Sequence, residues 1–73
     1  MGLRELRQEA ALSQVELALA SGVSRATIAK IEAGIDTPQA ATVRKLAAAL
    51  GVDTRTLVRA VREDQQAAEK LAA

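Results

Sequence analysis

Arg25 and Lys30 stand on one helical face of the stretch RATIAKIEA, where every other residue, Ala26, Ala29 and Ala33, is small. Two cations among small side chains suit recognition of an acceptor-rich surface. A guanidinium can donate two hydrogen bonds to the O6 and N7 of a guanine, worth roughly 1–3 kcal/mol of discrimination for a good pair. The methyls of Ala26 or Thr27 can rest against a thymine methyl. Ile28 and Ile31 lie on the opposite side, with Val23 just before them, so the same helix has an apolar face to dock with. Taken alone, the pattern describes most surface helices. Ala18, where two crossing helices must pack closely, and Gly22, in the turn between them, make it more specific.

Other chemistries are poorly served. The chain has no Cys and no His, which removes disulfides, thiolate nucleophiles and the usual zinc sites. There is no glycine-rich phosphate loop, no hydroxyl with a recognisable base, and little room for a deep pocket in 73 residues. An enzyme is not expected, nor is a cofactor or metal. Phe, Tyr and Trp are absent, which disfavours a binder of single strands that stacks bases on rings. No apolar run approaches membrane-spanning length. Net charge is only +1, but it is uneven. Residues 1–62 carry nine basic and six acidic side chains, and residues 63–73 one and three. A mildly basic body with an acidic end permits nucleic acid without demanding it.

The elements that would position Arg25 and Lys30 are all helical, since the chain is rich in Ala and Leu with no alternating strand pattern. A first helix is predicted from about Leu3 to Ala11, with Leu3, Leu6 and Ala10 on one face. Ser13 and Glu16 form a capping box that starts a second at Gln14, ending near Ser21 and Gly22. Ser24 caps a third that Gly34 stops after about Ala33. Pro38 lies just before or inside the first turn of a fourth, carrying Val43, Leu46, Ala47 and Leu50 to Gly51. Asp53 caps a fifth that holds Leu57, Val58 and Val61 and runs to about Leu71, with the last two or three residues frayed. The expected division is a body over 1–62 and an acidic helical extension over 63–73.

SQVELALASGVSRATIAKIEAG, over residues 13–34, has the layout of a helix-turn-helix, and TPQAATVRKLAAALGVDTRTLV continues it. Over about residues 3–60 the chain resembles the lambda-repressor-like (Cro/repressor, or XRE-type) family. That resemblance implies a compact all-α bundle of five helices and sequence-specific binding to double-stranded DNA, commonly as a dimer on a palindromic operator. Carried over by position, it implies base reading by Arg25, Ala26, Thr27 and Lys30, with Ala29 on the same face. Phosphate contacts are implied for Gln14 and Ser24. A salt bridge between Arg7 and Glu32 would fix the third helix.

Two departures qualify the resemblance. Ala11 replaces the glycine that often closes the first helix, so this turn is expected to be built differently. The Ile35-Asp36-Thr37 loop lacks the usual cations, leaving Thr37, Gln39, Arg44 and Lys45 to hold phosphate and predicting a shallow salt dependence.

The expected function is a transcriptional repressor that occupies an operator as a homodimer paired through the end of the fifth helix and the tail. It would be cytoplasmic, of bacterial or phage origin, and bound to the nucleoid. The rival is a module of the same fold that grips a protein such as a toxin, an anti-repressor or RNA polymerase. Val15 and Leu19, four apart on a face the family keeps polar, offer such a patch. Leu57, Val61, Ala68 and Leu71 offer another, interrupted by Asp64.

Overall fold

The computed structural model describes residues 1–72, and among these it contains five helices and no strand. They are α1 (Leu3–Glu9), α2 (Gln14–Ser21), α3 (Arg25–Glu32), α4 (Ala40–Leu50) and α5 (Thr54–Ala72). The all-α, five-helix order is the one expected from the sequence. Of the two or three terminal residues expected to fray, Leu71 and Ala72 lie within α5, and Ala73 falls outside the described residues.

Helix starts follow from side chains that satisfy free N–H groups. Ser13 Oγ accepts from the Glu16 N–H at 3.0 Å while the Glu16 carboxylate accepts from the Ser13 N–H at 2.9 Å. Ser24 Oγ accepts from the Thr27 N–H at 3.2 Å, and Asp53 from the Thr56 N–H at 2.7 Å. These bonds hold the Glu16 and Asp53 carboxyls below their ordinary pKa. Pro38 lies outside α4, whose N-cap is Gln39.

The end of α1 corrects two expectations. The helix stops at Glu9, two residues short of Ala11, and its turn has the usual glycine geometry with alanine in the glycine's place. Ala11 adopts φ 59°, its N–H reaches the Gln8 carbonyl at 2.9 Å, and the Leu12 N–H reaches Arg7 at 3.1 Å. The end of α3 has the same pair of bonds, from Gly34 and Ile35. An alanine in the left-handed region costs about 1–2 kcal/mol.

All five helices feed one aliphatic core. Leu3, Leu17, Ile28, Ile31, Leu46 and Leu57 are fully buried, and the small Ala47 and Ala60 lie among them. Burying each leucine or isoleucine is worth roughly 1.5–3 kcal/mol. The core seats α3 by Ile28 and Ile31, which turns its other side outward.

The second half of α5 is tied to the body. It continues without a break through residue 62. Asp64, which interrupts an apolar stripe in the sequence, accepts a hydrogen bond from the Leu3 N–H at 2.9 Å. Gln65 Nε2 donates to Thr37 Oγ1 at 2.8 Å. Gly34, at φ 77°, lies so close to α5 that a Cβ there would sit 2.3 Å from the Asp64 carbonyl oxygen and 2.8 Å from Ala68 Cβ. Glycine is therefore required at that crossing for space as well as for backbone angle.

Candidate nucleic-acid interface

α3 presents the face that its sequence periodicity predicts. Arg25, Ala26 and Lys30 are exposed, Thr27 and Ala29 are half-buried, and the capping Ser24 is exposed beside them. Ser24 Oγ donates to Thr27 Oγ1 at 2.8 Å, so the first-turn hydroxyls are already paired to each other. Neither Arg25 nor Lys30 takes part in an ion pair among the described residues. Two uncommitted cations on a helix lined by methyl groups can approach a planar, acceptor-rich surface closely.

A buried polar cluster fixes the angle of that helix. The Glu32 side chain, at the last turn of α3, is only 1 % exposed. Arg7 of α1 holds both its oxygens, Nε to Oε2 at 2.7 Å and an Nη to Oε1 at 3.2 Å. Gln14 of α2 donates to Oε1 at 3.2 Å, and Arg4 Nε approaches the same oxygen at 3.5 Å. Arg7 also donates to the Leu12 carbonyl at 3.0 Å, bracing the turn before α2. Burial alone would push the Glu32 carboxyl up, but the hydrogen bonds from Arg7 and Gln14 outweigh it and leave the pKa lowered. Three helices thus meet at one carboxylate.

Gln14 differs from its sequence-derived placement, because its amide N–H donates inward to Glu32. The donors left at the start of α2 are the backbone N–H groups of Gln14 and Val15, which the capping box does not use. Of the other predicted phosphate contacts, Gln39 at the N-cap of α4 and Arg44 and Lys45 in its first half are exposed. Thr37 is exposed too, with its hydroxyl bonded to Gln65. Val15 and Leu19 are 52 % and 81 % exposed on α2. Leu57 and Val61, read from the sequence as partner contacts, are instead 0 % and 5 % exposed. Their helical spacing is the stripe that seals α5 onto the core, so this chain does not offer them to a partner.

A family model described as helix-turn-helix matches residues 3–57, from the start of α1 into the first turn of α5. The chain belongs to the helix-turn-helix family. It is 46 % identical over 70 residues to RghRB of Bacillus subtilis (strain 168), named as an uncharacterized HTH-type transcriptional regulator. The match covers 94 % of this chain and 50 % of that relative, so the chain spans about half the relative's length. No solved structure matches it. In this family's terms α2 and α3 are the paired helices, Gly22 at φ 76° makes the turn, and α3 is the outward-facing second helix.

Sequence reasoning missed Asp64, Arg4 and the inward turn of Gln14. One signal for Asp64 existed: Gly2 has no side chain to cap α1, so the Leu3 N–H needed an acceptor from elsewhere.

Proposed function

We propose that this chain is a DNA-binding transcriptional regulator that represses by occupying an operator, with α3 in the major groove. The exposed, unpaired Arg25 and Lys30 on an otherwise alanine-lined face of α3 carry this reading. Arg25 stands in the first helical turn, the part of a recognition helix that reaches deepest, and so is assigned to a guanine. Ala26 and the Thr27 methyl are assigned to thymine methyls. Ala29 lets the backbone come close, and Lys30 faces a base edge or the far strand.

The backbone of DNA is held by neutral groups more than by cations. The free N–H groups at the start of α2, together with Gln39 and with the Ser24 hydroxyl once it turns from Thr27, would meet phosphates, and Arg44 and Lys45 would add charge. Each neutralised phosphate contributes a slope of about −0.9 to log K against log salt. A chain with two cations on α4 and none in the Ile35–Thr37 loop should therefore show a shallow salt dependence for each bound copy. Two copies on a two-fold operator would place their third helices in successive major grooves about 34 Å apart.

Selection from a random duplex library, followed by gel shift of the enriched sequence at two salt concentrations, tests the reading. Enrichment of one motif, with binding that survives moderate salt, supports it. Failure to enrich any motif, or binding lost uniformly across sequences as salt rises, contradicts it.

A further inference from the structure

A second cationic surface lies away from α3. Arg55, Arg59 and Arg62 follow one another at spacings of four and three along α5, on the side turned away from the buried Leu57, Ala60 and Val61. All three are exposed, and none takes part in an ion pair among the described residues. Asp53 lies near enough for Arg55 and Arg59 to help lower its pKa, yet its carboxylate is occupied by the Thr56 N–H. Like charges at these spacings repel within a helix. Apart from favouring the charged Asp53 carboxylate, the stripe makes no ion pair that holds the fold among the described residues.

The arginines border an apolar seat. Val58, half-buried, lies in one open groove with Arg55, Arg59 and Arg62 and in a second with Pro38 and Arg44. A cationic edge beside an aliphatic floor differs from what a phosphate backbone needs, which is charge without a hydrophobic pocket. We infer that the Arg55–Arg59–Arg62 face of α5 is a docking surface for an acidic amphipathic segment of a partner protein. Its carboxylates would meet the guanidiniums, and one aliphatic side chain would cover Val58 and Pro38. Arginine suits the edge because its planar fork pairs with a carboxylate through two hydrogen bonds. A second copy of this chain is the poorer occupant. A two-fold contact centred on this face sets arginine near arginine, with Val58 as the apolar centre on each side.

The test uses fluorescence anisotropy with a labelled Leu/Glu amphipathic peptide, compared with polyglutamate and with the same peptide carrying Lys for Glu. The Leu/Glu peptide should bind at low salt, polyglutamate at least tenfold more weakly, and the lysine peptide not at all. The double variant Arg55→Glu/Arg59→Glu should weaken peptide binding more than tenfold. It should keep the helical circular dichroism and the duplex affinity of the native chain. Arg59→Gln, which cannot refold the surface by charge reversal, should weaken the peptide severalfold. Equal binding of polyglutamate, or unchanged binding by both variants, would overturn the proposal. Loss of duplex affinity in the double variant would reassign the face to phosphate. A native dimer that the double variant dissociates would reassign it to a second copy.

Discussion

Two partly sequestered carboxylates join helices around the aliphatic core, and their surroundings push them in opposite directions. Glu32 joins α1, α2 and α3 and is met by Arg7, Arg4 and Gln14. Its negative charge is favoured despite burial, and the pKa is lowered. Asp64 joins α5 to the start of α1 and receives the Leu3 N–H. Burial dominates there, Glu5, Glu32 and Glu63 add repulsion, and the pKa is raised. One junction depends on ionisation; the other tolerates it. The dependent junction is the one that aims the candidate reading helix.

Breaking the charge at Glu32 should have the largest effect. Glu32→Gln keeps the shape but leaves Arg7 facing no anion, and removing one partner of a buried pair costs about 3–5 kcal/mol. For a domain of this size that is a large share of the total stability, roughly 0.05–0.15 kcal/mol per residue. Chemical denaturation should show a midpoint far below that of the native chain, and a variant as stable as the native chain would contradict the network.

Gly34→Ala attacks the other junction through its backbone. It forces a left-handed alanine, at about 1–2 kcal/mol, and drives a Cβ into the Asp64 carbonyl region. The expected loss exceeds 2 kcal/mol, on the order of an overpacked core site. A thermal melt within a degree of the native chain would show that α5 does not pass as close as described.

Acid should separate the two carboxylates. Glu32 has a folded pKa below its unfolded value, so its contribution is present above about pH 4.3 and fades as pH falls through the folded pKa. Asp64 has a folded pKa above its unfolded value, so its contribution is largest below about pH 3.9 and is lost as pH rises through the folded pKa. The exposed caps Glu16 and Asp53 act in the same sense as Glu32. Net stability should therefore fall below about pH 4, and Asp64→Asn should make the decline begin at higher pH by removing the opposing group. A decline unaltered in Asp64→Asn would contradict the assignment.

At neutral pH, Asp64→Asn should give the smallest effect. The amide oxygen can still accept from Leu3 and no charge has to be desolvated, so the melting temperature should hold or rise slightly. A marked fall would mean that the carboxylate, rather than any acceptor, is needed at the start of α1.

The two junctions also differ in how much of them the sequence disclosed. Helix order and starts were legible because Ser13, Ser24 and Asp53 act locally, a few residues from the N–H groups they satisfy. The exposed face of α3 was legible because Ile28 and Ile31 fix the buried side. Leu57 and Val61 were misread since a buried stripe and a partner-binding stripe have the same spacing. The turn at Ala11 was misread because alanine rarely takes φ 59°, which here accompanies the closing hydrogen bonds from Ala11 to Gln8 and from Leu12 to Arg7. Asp64 was invisible as a cap because it lies 61 residues from the N–H group it serves.

Whether the cationic side of α3 reads a base sequence is decided by repeating duplex selection with Arg25→Ala. The native chain should enrich one motif, and Arg25→Ala the same motif with one guanine position made degenerate in each half-site. Recovery of the identical motif at equal affinity, or no motif from the folded native chain, would contradict base reading by α3.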